Sequence, residues 1–149
     1  MVRAVSMVAA GYGGGPVSDT LLLTYHERRA PRGTALGLRG TEIEFALPAG
    51  SRLSHDDRVM LDDGSAVEIV ARPETLLEVR ANDPATLARA AWLLGDHHIP
   101  VEIHARYLRV ERTEPVAALL RTIDVMVRDI EAPFEPEGGA YEHAVETGA

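Results

Sequence analysis

A chain of 149 residues with 46% hydrophobic content can form one ordinary domain or two small ones, each with a packed interior. A formal charge of -8 and a pI near 5.2 argue against a polyphosphate partner, which needs clustered Lys and Arg, and suit small cations better. The absence of Cys excludes disulfide frameworks, zinc fingers and iron-sulfur clusters, so any metal must be held by imidazole, carboxylate, backbone or water, and no stretch approaches the roughly 20 apolar residues of a membrane span.

Residues 1–19 open with one Arg and a short apolar run, a faint imitation of a secretory signal. Gly11, Gly13, Gly14, Gly15 and Pro16 favour a disordered leader instead. From Thr20 to Pro73 the apolar period is two. Ile43, Phe45 and Leu47 alternate with Glu42, Glu44 and Ala46, and Pro48, Ala49 and Gly50 mark a turn. Arg58 to Leu61 leads into Asp62, Asp63 and Gly64, and Val67 and Ile69 resume beyond them, which predicts a hairpin around Asp-Gly. Residues 20–73 therefore read as a small all-β domain.

The second half changes character. Leu77 and Val79 alternate with Glu78 and Arg80, and Asp83 and Pro84 then stand where a helix cap and a first helical turn belong. Leu87, Ala90, Ala91 and Leu94 form one apolar stripe that Gly95 is expected to end. Ile99, Val101 and Ile103, and then Leu108 and Val110, predict two antiparallel strands. Glu114 and Pro115 open a second helix with the stripe Val116, Leu119, Leu120 and Ile123, and a last strand begins near Val125. The order over residues 74–134 is β-α-β-β-α-β, that of a ferredoxin-like sandwich, so the whole chain is expected to be α+β. Residues 135–149, with Pro136, Gly138 and Gly139, read as a flexible C-terminal tail.

The histidines are His26, His55, His97, His98, His104 and His143, and only His97 and His98 are adjacent. They fall between the first helix of the second half and the strand at Ile99, at a helix end whose partial negative charge favours a cation. From spacing alone an ordinary polar turn is the better explanation of the pair. Two neighbouring histidines need further ligands, and a two-fold axis would double them at a shared, open site unlike a closed structural one.

The run LLEVRANDPATLARAAWLLGDHHIPVEI, with EAPFEPEGGAY near the end, resembles the C-terminal domain of the urease accessory protein UreE family. LTYHERRAPRG to VARPE is similar to that family's N-terminal β domain, and the likeness spans roughly Thr20 to Tyr141. It implies a cytoplasmic homodimer that carries Ni2+ to urease and catalyses nothing itself. The family's metal histidine falls on His98, at the implied dimer interface, and the lone tail histidine His143 is the second ligand candidate. His97 stands where relatives usually have Arg, as an extra ligand or a surface side chain. The chain departs from relatives with histidine-rich tails and with histidines after the strand near Val110, where it has Glu111, Arg112, Thr113 and Glu114. Implied partners are urease apoprotein and its accessory proteins, including a GTPase, with the β domain as a contact surface. Imidazole binds several borderline metals, so Zn2+ and Cu2+ are expected to compete with Ni2+.

Three rivals share features with this reading. An RNA-recognition module has the same element order, but needs exposed aromatics and a basic face, and the strand from Arg106 to Glu111 offers only Tyr107. An acylphosphatase-like enzyme needs an Arg and a positioned Asn in a phosphate loop, whereas Asn82 lacks a glycine-rich cradle and GYGGGP lacks the Lys-Ser/Thr of one. Asp56 with Asp57, and Asp62 with Asp63, fit turns better than a catalytic dyad. A metal-independent interaction module remains, and nickel titration separates it from a carrier.

Overall fold

The computed structural model describes residues 1–8 and 16–138, which fold as a mixed α+β chain in two compact units, Met1–Arg72 and Pro73–Ala149. No helix among the described residues is long and apolar enough to cross a membrane.

The N-terminal unit holds β1 (Val2–Val8), β2 (Val17–Leu23), α1 (Tyr25–Arg29), β3 (Thr34–Leu36), β4 (Glu42–Phe45), β5 (Arg58–Leu61) and β6 (Ala66–Ala71). They form one six-stranded sheet in the order β2-β6-β5-β1-β4-β3. The hairpin around Asp63 and Gly64 lies where the Asp-Gly signal puts it, with Gly64 at φ 88° closing the turn between β5 and β6.

Two expectations need correction here. Residues 1–19 are not all leader, because Val2–Val8 is a central strand, parallel to β4 and antiparallel to β5, and β2 already starts at Val17. Only Ala4 of β1 is buried, so the strand is held by ladder hydrogen bonds on both sides and leaves no strong apolar alternation in the sequence. Gly11 to Gly15 lie outside the described residues. Nor is the unit all-β: Tyr25–Arg29 is a helical turn closed by a capping box, Thr24 Oγ1 accepting from the Glu27 N–H and the Glu27 carboxylate accepting from the Thr24 N–H.

Asp19 on β2 is a buried charge of the N-terminal unit. It accepts from the N–H groups of Thr20 (2.7 Å), Arg39 (2.8 Å) and Thr41 (3.1 Å), and so locks the β3–β4 connection onto β2. Burial alone would raise its carboxyl, but hydrogen bonds from the Thr41 side chain and from the Arg39, Thr20 and Thr41 backbone outweigh this and hold it down to about 2. A Cβ on Gly37 would collide with this carboxylate, so the close approach requires glycine.

The C-terminal unit holds β7 (Pro73–Arg80), α2 (Pro84–Asp96), β8 (Glu102–Ile103), β9 (Leu108–Glu111), α3 (Glu114–Leu120) and β10 (Met126–Pro133), with strands in the order β10-β7-β9-β8. Leu77, Val79, Leu108 and Val110 from the sheet pack with Ala90, Leu94, Val116 and Leu120 from the helices. Both helices start as their sequences dictate: Asp83 Oδ1 accepts from the Thr86 N–H (2.8 Å), Thr113 Oγ1 accepts from the Val116 N–H (3.3 Å), and a proline stands in each first turn.

Residues 135–138 do not behave as a free tail. The Glu135 N–H donates to Glu102 Oε1 (2.7 Å) and the Glu137 N–H to the Val101 carbonyl (2.8 Å). Residues 139–149, with His143, lie outside the described residues.

Candidate metal centre

The turn after α2 is built in three steps. His97 is the C-cap residue at φ -88°, and His98 follows at φ 57°, a left-handed conformation uncommon outside glycine. The His98 N–H donates to the Gly95 carbonyl (2.9 Å) and the Ile99 N–H to the Leu94 carbonyl (3.0 Å). These two bonds are the paired closures of a Schellman motif, and the accompanying apolar contact comes from Ile99 packing against the cluster that contains Leu94.

Gly95 is therefore not the residue that ends the helix. It sits inside α2 with open space where a Cβ would stand, and the left-handed position falls on His98. A β-substituted residue there costs energy that the two closing bonds and the Ile99 anchor must offset. The result is an exposed imidazole on a backbone fixed by hydrogen bonds at both ends. Its neighbours Asp96 and His97 are also exposed, beside a helix C-terminus that favours cations.

Within one chain this is not a closed site. Among the described residues no group of three or more His, Asp or Glu side chains is arranged to hold a metal ion. His98 and His97 share the turn, and His143 falls outside the described residues. His55 is engaged elsewhere: its Nδ1 accepts from the Ala71 N–H (3.1 Å) and its Nε2 lies 3.3 Å from Asp56 Oδ1. The donor chemistry available, imidazole with carboxylate nearby and no thiolate, suits borderline divalent metals.

Sequence reasoning passed over a second polar cluster on the sheet face opposite the helices. Glu78 is 2% exposed and lies 3.0 Å from Arg80 Nε, 2.9 Å from an Arg128 amino nitrogen and 3.5 Å from one of Arg109. Burial pushes its carboxyl up, yet hydrogen bonds and charge from Arg80 and Arg128 bring it below the usual carboxylate range. Glu102 lies on the far side of Arg109, 3.6 Å from it and 2.6 Å from His104 Nε2, and His104 stacks on Tyr107. Period-two reading assigns Ile99, Val101 and Ile103 to the core, and so leaves Glu102 and His104 to solvent. The sequence shows the charges Glu78, Arg80, Glu102, Arg109 and Arg128 on its predicted strands, but their shared register comes only from the folded sheet.

The family model for the C-terminal domain of the UreE urease accessory protein matches residues 74–149. A urease accessory protein UreE from Beijerinckia indica is 43% identical over 141 residues, covering 95% of this chain and 82% of the relative. One from Rhodopseudomonas palustris is 40% identical over 100% of this chain and 69% of its own length, and one from Bradyrhizobium is 39% identical over 95% and 67%. With a helix-capping histidine in the matched domain and this identity along nearly the whole chain, the protein belongs to the UreE family of urease accessory proteins.

Proposed function

We propose that the chain is a cytoplasmic nickel carrier for urease assembly and that it works as a homodimer, with His98 of two subunits gripping one Ni2+ across the two-fold axis. The C-terminal unit is read as a ferredoxin-like metal-binding domain, and the N-terminal unit as the surface that meets urease apoprotein or its accessory proteins, including the GTPase. His143 is the second ligand candidate, and His97 remains a turn side chain.

The carrying observation is the left-handed His98, an exposed imidazole held on a backbone closed by two hydrogen bonds. A loosely held histidine would lose side-chain and backbone entropy on binding, whereas this one has already met the backbone cost during folding. Trp92 lies about one and a half turns before the cap of α2 and is 68% exposed. So large an exposed indole beside the turn is what a covering subunit would explain.

Transport follows by ligand exchange. Two imidazoles from two subunits leave coordination positions for water or an acceptor's ligands, so the ion can be passed on without a bond-making step. Protons and metal compete for the same nitrogen, so acidification favours release. Cu2+ binds such donors more tightly than Ni2+, and Zn2+ competes.

Calorimetric Ni2+ titration of wild type, His98→Ala, His97→Ala and His143→Ala, with dimer mass measured by light scattering, tests the reading. His98→Ala is expected to weaken the tightest event on the order of 100-fold or more. His143→Ala is expected to weaken it less or to change stoichiometry, and His97→Ala to leave it close to wild type. Superimposable isotherms for wild type and His98→Ala would sink the assignment and leave a metal-independent interaction module.

A further inference from the structure

Residues 28–41 carry Arg28, Arg29, Arg32 and Arg39 and no Asp or Glu, in a chain with 15 basic and 23 acidic residues. Arg28 is buried, whereas Arg29, Arg32 and Arg39 are exposed. Arg29 leans on Tyr25, and among the described residues the Arg32 and Arg39 guanidinium groups have no ion-pair partner. Between those two lie Leu36 and Leu38, 67% and 65% exposed, on either side of Gly37. Exposed apolar side chains grouped in this way and rimmed by charge mark an interaction surface.

The backbone beside the leucines is open as well. β3 ends its sheet and is bonded only to β4. The Gly33 carbonyl accepts from the Phe45 N–H (2.9 Å) and the Gly37 N–H donates to the Thr41 carbonyl (2.8 Å), so Thr34 and Leu36 turn their N–H and C=O groups to the far side. The open run stops at Leu38, whose N–H is taken by the Thr20 carbonyl (3.0 Å). Asp19 accepts from the Arg39 and Thr41 N–H groups, and the Gly40 N–H donates to the Gly37 carbonyl (3.0 Å), which fixes this end of the edge in advance. An edge ordered beforehand loses little entropy on binding.

We propose that β3 is a docking edge for an extended segment of another protein, apolar at its centre and acidic at both ends, which adds as a strand beside Thr34–Leu36. Its backbone pairs with Thr34 and Leu36, its apolar side chains cover Leu36 and Leu38, and its carboxylates meet Arg32 and Arg39. A second copy of this chain fits poorly, because antiparallel self-pairing sets Arg32 against Arg39 across the new ladder. The nearest acids, Glu42 and Glu44, stand on β4, away from the open side, and Glu44 pairs with Arg3 (3.3 Å). The proposal locates the contact surface within the N-terminal unit; it rests on the reading of that unit as the partner surface and needs nothing from His98.

The test is fluorescence anisotropy on the full-length chain with the capped, labelled peptide EEVTVTVEE, beside KKVTVTVKK and a uridine oligonucleotide. EEVTVTVEE is expected to bind and to slow amide exchange at Thr34 and Leu36 in NMR spectra. Arg32→Glu with Arg39→Glu is expected to weaken it about tenfold or more, less so in high salt. Leu36→Ser with Leu38→Ser is expected to weaken it about tenfold. Leu36→Pro removes an outward N–H but spares the bonds to β4, and is expected to weaken it beyond Leu36→Ala. All four side chains are exposed, so far-UV circular dichroism is expected to stay that of wild type.

Absence of EEVTVTVEE binding, equal binding of the two peptides, or an affinity unchanged in the double-serine variant overturns the docking edge. Uridine oligonucleotide binding as tight as that of EEVTVTVEE makes the surface a general polyanion patch and also overturns it. A wild-type mass that falls in Leu36→Pro places a second copy on the edge instead. Hydrogen exchange of the full chain with urease apoprotein separates the two levels. No protection anywhere in Met1–Arg72 sinks the partner-surface reading even where the peptide binds, and protection in that unit that bypasses Thr34 and Leu36 overturns only the edge.

Discussion

In the N-terminal unit the buried Asp19 is satisfied by backbone N–H groups of its neighbour Thr20 and of the β3–β4 connection, whereas in the C-terminal unit the buried Glu78 is neutralised by guanidinium groups from three strands. The two arrangements differ in what remains when the carboxylate goes. Backbone donors at Arg39 and Thr41 are fixed by the chain and cannot all turn to water. Arg80 and Arg128 have side chains 44% and 68% exposed and can. A carboxylate satisfied by backbone therefore fixes a loop shape, while one satisfied by long side chains ties strands together more cheaply.

That contrast orders the expected effects. Asp19→Ala strands several half-buried donors at once and is expected to lower stability by about 3 kcal/mol, read from urea unfolding followed by far-UV circular dichroism. A loss below about 1 kcal/mol would show that water replaces the carboxylate and would break the comparison. Gly37→Ala drives a methyl into the same carboxylate and is expected to cost about 2 kcal/mol. If Gly37→Ala adds nothing in the Asp19→Ala background, the clash is with Asp19 and not with the local backbone conformation.

Glu78→Gln is expected to cost less, about 1 kcal/mol, with the difference shrinking as salt is raised, because two of its three partners, Arg80 and Arg128, reach solvent. A loss as large and as salt-insensitive as that of Asp19→Ala would erase the distinction between the units. A further effect is in pH. Both carboxyls are depressed in the folded protein, so the stability they contribute is fully present above the ordinary carboxylate range and is lost as pH falls toward their folded values. For Asp19 the window lies between about 4 and about 2, and Asp19→Asn is expected to flatten the acid limb there in pH-dependent unfolding.

The two units also differ in how much of them a reader of the sequence could foresee. In the C-terminal unit the signals are local: Asp83 with Pro84, Glu114 with Pro115, and the apolar stripes sit within one turn of the elements they specify. In the N-terminal unit β1 pairs with β4 in parallel and β2 with β6 in parallel, partners some forty residues or more away. Nothing near Val2–Val8 announces such pairing, since only Ala4 is buried and a β-bulge between Ala4 and Ser6 further blurs the alternation. The helical turn at Tyr25–Arg29 did carry a signal, Thr24 followed three residues later by Glu27, but it lies inside a stretch whose period is two.

The candidate site divides in the same way. The adjacent pair His97 and His98, its position after an amphipathic helix, the family likeness around it and the lack of any thiolate ligand were all legible in the residues. Sequence also specified the helix starts, the Asp-Gly hairpin and the α+β class, because caps, turns and apolar periods act over a few residues. Only the folded chain decided that His98 rather than Gly95 takes the left-handed position, since that depends on Ile99 reaching the core that contains Leu94. It likewise decided that Glu78 and Glu102 are buried and in register with arginines from other strands, and that Glu135 and Glu137 return to β8. Those are properties of pairing between distant segments, and the pairing energy is spread over contacts that no local pattern records.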